Sequence, residues 1–172
     1  MFKLFENYEE FTKWFDGSKI VKGGKPLLVY HFNCKDLIDP YNKDQIYFTD
    51  DPTFGVRYLG KESSKEHKAY LKITNPFVCT NKNLKKVMEK HYTYCESDWN
   101  SPYGSGGKSG YDKIILGQIE NFNMSETYER RKVFNWVKNN GYDGIIIPYD
   151  WDGGFGTIKS FVVFDKNQIW EL

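Results

Sequence analysis

Apolar residues along this chain come in short runs, and the period of each run predicts its element. Phe11, Trp14 and Phe15 recur at helical spacing within residues 8–15, and Gly17-Ser18 then stop the pattern, so a short helix is expected there. Val21-Lys22-Gly23-Gly24-Lys25-Pro26 is turn chemistry. Residues 27–31 form an apolar run that closes on a polar residue, His31, as a buried strand would. Residues 45–49 read as a second strand. Asp50 or Asp51 can then cap a helix with Pro52 near its first turn, carrying Phe54, Val56, Arg57 and Tyr58.

The second half repeats this alternation without repeating any sequence. Residues 69–73 alternate like a strand and stop at Asn75-Pro76, and residues 84–91 are helical in pattern. Residues 99–110, rich in Gly, Ser and Asn, read as a loop. Residues 125–139 form the clearest helix: Ser125 with Tyr128 and Glu129 opens it, Val133, Trp136 and Val137 face inward, and Asn140-Gly141 end it. Residues 144–148 read as a buried strand, and 149–157 as a Gly-rich loop holding Asp150 and Asp152. Residues 158–164 are apolar on both faces, which predicts a central strand, and 165–169 close the domain. With no repeat and no linker, the expectation is one α+β domain over 1–172.

Composition narrows the function classes. A formal net charge of +1 gives no global attraction to nucleic acid or acidic membrane. No apolar run approaches the roughly 20 residues of a membrane span, and the first residues lack the long apolar stretch of a signal peptide. Aromatic residues make up 18% of the chain, enough to build a core and still furnish a site that stacks flat ligands. Cys34, Cys79 and Cys95 are odd in number and irregularly spaced, which fits a reducing cytoplasm better than a disulfide framework. His67, His91 and Cys95 do not combine with any Cys-x-x-Cys pair, so no metal site is expected.

Several patterns resemble chemistry and fail on inspection. Gly104-Ser105-Gly106-Gly107-Lys108-Ser109 suggests a phosphate loop, but Pro102 stands where the leading glycine belongs. Ser, His and Asp occur, yet no Gly-x-Ser-x-Gly elbow does. Cys34 follows His31 by three residues, which on a strand sends the two side chains to opposite faces. Lys82, Lys85, Lys86 and Lys90 form a basic helical face, of a kind that is usually only solvated.

The strongest signal is an ordered set of short segments. They are the stretch from Phe11 to Lys19; Lys25-Pro26-Leu27-Leu28-Val29-Tyr30-His31; Ile46-Tyr47-Phe48-Thr49-Asp50-Asp51-Pro52; Leu71-Lys72-Ile73-Thr74-Asn75-Pro76-Phe77; Asn140-Gly141-Tyr142-Asp143-Gly144-Ile145-Ile146; and Val162-Val163-Phe164-Asp165-Lys166-Asn167-Gln168-Ile169. In this order the chain resembles the diphtheria-toxin-like and poly-ADP-ribose-polymerase-like ADP-ribosyltransferases, most of all the small domains of phage polyvalent proteins. The resemblance implies a split antiparallel sheet with peripheral helices and NAD, as substrate, in the cleft. It implies that His31 hydrogen-bonds the adenine-side ribose, that Tyr47 lines the nicotinamide site and that Tyr58 stacks on the nicotinamide ring.

Two positions depart from the family pattern. The residue after the histidine is usually Gly, whose backbone reads the nicotinamide amide; here it is Phe32, which serves only if no positive φ or very close approach is needed. The catalytic Glu that begins the last strong strand is replaced by Ser160. Cleaving the nicotinamide–ribose bond develops positive charge on the sugar, as in glycoside cleavage. Ser160 can hydrogen-bond a ribose hydroxyl but brings no charge, a loss on the order of 10²–10³ in rate. Asp152, in the loop before that strand, is the candidate replacement carboxylate.

The resemblance therefore implies an NAD-dependent mono-ADP-ribosyltransferase, or a catalytically altered relative, acting in a bacterial host's cytoplasm on a protein, or less expectedly a nucleic acid, and not at a membrane. Two alternatives stand beside it: a non-enzymatic module binding NAD, ADP-ribose or a protein, and an NAD glycohydrolase toxin that uses water as acceptor.

Overall fold

The computed structural model describes residues 3–34, 45–60, 64–80, 82–83, 87, 127–151 and 157–172. The first helix, α1 (Lys3–Phe15), ends at Phe15 as expected and begins five residues before the expected Tyr8. Its aromatic stripe is the reason it docks: the Phe11 ring lies 5.0 Å from Tyr70 and 5.5 Å from Trp170, which are themselves cross-strand partners. The turn chemistry at 21–26 closes a small hairpin, β1 (Val21–Lys22) and β2 (Lys25–Pro26). Its two central glycines, Gly23 and Gly24, have φ of 59° and 75°, the left-handed pair a tight hairpin requires.

The main sheet comprises β3 (Val29–Cys34), β4 (Ile46–Thr49), β5 (Ser64–Leu71), β6 (Pro76–Val78), β7 (Gly144–Trp151), β8 (Thr157–Val163) and β9 (Ile169–Glu171). Its order is β6-β7-β8-β4-β3-β5-β9, antiparallel throughout except for the β6–β7 pair. Most of it is tightly registered, but β3 and β4 meet at a single paired position, Tyr30 with Thr49. The sheet is thus split: β6-β7-β8-β4 on one side, β3-β5-β9 on the other. The expected α+β class and split antiparallel sheet are what the chain adopts.

Local departures from the sequence reading have physical causes. The N-cap position of helix α2 (Phe54–Leu59) is Thr53, whose side chain makes no capping hydrogen bond; the Asp51 carboxylate accepts the Thr53 N–H and hydroxyl and pairs with Arg57. Strand β7 runs on to Trp151, across from Thr157, so both ends of the expected 149–157 loop are strand. Helix α3 (Thr127–Asn139) lies within the expected 125–139. The expected loop at 99–110, the start of the helix at 125, and most of the 84–91 helix lie outside the described residues.

Two apolar clusters fill the interior. One joins Phe134 and Val137 of α3 to Phe77, Ile145, Ile147 and Val162; the other joins Val29, Ile46, Phe48, Ala69, Leu71, Phe161 and Val163 from both halves. Polar clamps close the sheet ends. The Gln168 carboxamide donates to the carbonyls of Lys72 (3.1 Å) and Asp143 (2.7 Å) and accepts from the N–H groups of Phe164 and Asp165. The Asp143 carboxylate accepts from the Thr74 and Asn75 N–H groups and the Thr74 hydroxyl. These residues belong to the segments that carry the family resemblance, and their work here is structural.

Candidate functional site

The site is built on the split seam. Ser160 pairs with Ile147 and Thr49, and Thr49 with Tyr30, so this row crosses β7, β8, β4 and β3 on one face. The next row runs Ile146–Phe161–Phe48 and, continuing antiparallel past the seam, meets His31 and then His67. The His31 ring lies 5.4 Å from that of Phe48, as this register requires. His31 and Ser160 are therefore one residue out of step, and their side chains leave the sheet on opposite faces.

His31 is buried, and its Nδ1 lies 2.7 Å from the Tyr47 carbonyl oxygen. A carbonyl can only accept, so Nδ1 carries the hydrogen, and in the neutral ring the lone pair sits on Nε2. This bond ties the first strand of the motif to the second across the seam. Tyr47 itself turns to the other face, half-buried, its ring 6.0 Å from Phe134 of α3. Ser160 is buried at 4% exposure beside Thr49, whose hydroxyl accepts the Asp51 N–H. Two hydroxyl-bearing residues are cross-strand partners where the resemblance calls for a carboxylate.

Phe32 sits in extended β3, so its backbone needs no glycine-like conformation. Its ring stacks on Tyr30 at 6.4 Å and 15° and packs under α2, 6.5 Å from Phe54. Helix α2 approaches so closely that a Cβ at Gly55 would lie 2.0 Å from the Phe32 ring. Tyr58 lies on the same helix, three residues after Gly55. Asp152, the candidate carboxylate, lies outside the described residues.

Beside His31 stands a second group that its sequence context conceals. His67 occurs in Lys65-Glu66-His67-Lys68, which reads as a solvated run, yet it is buried opposite His31 with ring centroids 6.0 Å apart. Its Nδ1 donates to Glu171 at 2.6 Å, and its Nε2 lies 3.2 Å from Asn33 Oδ1. Among the described residues no group of three His, Cys, Asp or Glu side chains is arranged to hold a metal ion. No helix among them is long and apolar enough to cross a membrane.

Strand order, split seam and the His31–Tyr47 junction define an α+β ADP-ribosyltransferase-like fold. The family of ADP-ribosyltransferases in polyvalent proteins matches residues 22–171, and the chain belongs to that family. No curated protein and no solved structure matches it. Enzymes of this class move ADP-ribose from NAD to an acceptor macromolecule.

Proposed function

We propose that the chain is an NAD-dependent mono-ADP-ribosyltransferase with an altered catalytic centre, acting in a bacterial host's cytoplasm on a protein acceptor. The observation that carries this reading is the His31–Tyr47 carbonyl bond at the seam, in a chain that matches the family over 22–171. It fixes the imidazole tautomer at the point where the two half-sheets part. In the proposed reaction the nicotinamide–ribose bond breaks, nicotinamide leaves with the bonding electrons, and an acceptor nucleophile attacks the ribose C1 and then loses its proton. His31 holds the adenine-side ribose, Tyr47 and Tyr58 flank the nicotinamide, and Ser160 hydrogen-bonds the other ribose; because His31 lies on the sheet face opposite Ser160 and Tyr47, this reading requires NAD to pass through the split between β3 and β4. Asp152 supplies negative charge toward the developing cation, in place of the missing Glu. Proton NMR of NAD with the protein tests this: free nicotinamide appearing over hours supports glycosidic cleavage, and unperturbed NAD signals refute it.

A second reading is favoured by Phe32 packed onto Gly55 together with Ser160 in the carboxylate position. In it the cleft serves a non-enzymatic module that binds ADP-ribose or a protein. NAD signals that broaden without nicotinamide release support that module. Nicotinamide release with no acceptor present, together with growth arrest on expression, supports a glycohydrolase toxin.

A further inference from the structure

One face of β3 and β5 carries polar groups where strand alternation calls for apolar ones. The rows run Val29 opposite Ala69, then His31 opposite His67, then Asn33 opposite Lys65. Val29 and Ala69 are core, and His31, Asn33 and His67 are still only 8%, 6% and 7% exposed. Burying such groups is unfavourable unless each finds a partner. Glu171, on β9, accepts from His67 Nδ1 at 2.6 Å, and the far ring nitrogen meets the Asn33 carboxamide at 3.2 Å. The other end of that carboxamide is buried with no hydrogen-bond partner among the described residues.

The orientation of the carboxamide does not remove the open end. If His67 Nε2–H donates to Oδ1, the Asn33 NH₂ is left over; if the carboxamide is turned, its NH₂ donates to Nε2 and its oxygen is left over. A ligand hydroxyl, which both donates and accepts, satisfies either arrangement. Asn33 is two residues beyond His31 on the same strand face, within about 7 Å along β3.

We propose that Glu171, His67 and Asn33 form a positioning relay beside His31: Glu171 fixes His67, His67 fixes the Asn33 carboxamide, and the open end of the carboxamide meets a sugar hydroxyl of the ADP-ribosyl half of the dinucleotide. The relay rests on the NAD reading above. His67 and Glu171 act through Asn33 and are positioning residues.

Calorimetric titration of NAD and of ADP-ribose into the full chain tests the relay, with melting temperatures measured alongside. Asn33→Leu, close in shape, is expected to weaken both ligands about tenfold; it also removes the bond to His67 Nε2, so a modest fall in melting temperature is expected and the comparison is made on folded protein. His67→Phe is expected to weaken both ligands comparably. His67→Gln, which keeps a nitrogen donor near the position of Nε2, is expected to restore most of the affinity, which a purely structural role would not require. Unchanged affinity in a folded Asn33→Leu chain would overturn the relay while leaving the NAD reading intact, and would mean that solvent satisfies the carboxamide. Loss of affinity in Asn33→Leu but none in His67→Phe would overturn the positioning by His67. A wild-type chain that binds neither ligand overturns the relay and the NAD reading together.

Discussion

The ring of Phe32 lies against the bare α-carbon of Gly55, so that a methyl group added there would fall 2.0 Å from Cδ1 and 2.7 Å from Cβ of the phenylalanine. The contact fixes helix α2 to strand β3 and so sets the distance between the strand after His31 and the helix that carries Tyr58. Neither residue can enlarge unless the other gives way.

Gly55→Ala is accordingly expected to destabilise the fold by roughly 1–3 kcal/mol, the usual range for overpacking. Phe32→Ala in the same chain should recover much of that loss, because the two substitutions act on one contact and will not be additive. Urea unfolding of the two single variants and the double variant measures the coupling, and strictly additive effects would refute the contact.

Phe32→Gly restores the residue the family carries after its histidine and removes the ring that fills the space under α2. If that space is the nicotinamide side of the cleft, NAD should bind more tightly to Phe32→Gly than to the wild-type chain. Isothermal titration with NAD decides this, and lower or equal affinity in a folded variant would show that the ring does not narrow the donor site.

His31→Ala should abolish NAD binding while the chain remains folded, at a stability cost of about 1 kcal/mol for the lost bond to the Tyr47 carbonyl. Circular dichroism reports the fold and NAD line-broadening reports binding. Wild-type affinity in a folded His31→Ala chain would remove this histidine from the site.

Ser160→Glu returns a carboxylate to the position of the missing charge. In a working donor site it should raise nicotinamide release on the order of 10²–10³ over the wild-type chain. Ser160 is buried between Thr49 and Ile147, so the melting temperature must be followed as well. A folded Ser160→Glu chain with no gain in turnover would favour the non-enzymatic module.

Gln168→Ala deletes four hydrogen bonds that join the end of β8, the Lys72 carbonyl and the Asp143 carbonyl. Partly buried peptide groups are left unsatisfied, so a loss of roughly 2–3 kcal/mol is expected. Thermal unfolding checks it, and a change under about 0.5 kcal/mol, typical of a neutral surface position, would show that solvent replaces the clamp.

Local periodicity in the sequence was enough to determine α1, α2, α3, β4, β8 and parts of β3 and β7, because a side chain's alternation between faces follows from the backbone of its own segment; it placed a strand at 69–73, whereas β5 runs Ser64–Leu71 and shares only its last three residues with that expectation. The order of the short motif segments was enough to identify the α+β fold, the family, and His31 and Tyr47 as candidates for its site. Strands as short as β6 and β9 were not legible: three residues carry no period, and Ile169–Glu171 is a strand only because β5 supplies the ladder. Only the tertiary structure decided that His31 and Ser160 leave the sheet on opposite faces, since that depends on the register across the seam. It alone also seated Phe32 on Gly55 and brought His67 to Glu171, 104 residues away in the chain. Which partners meet is set by packing between distant segments, and no local pattern in the sequence encodes it.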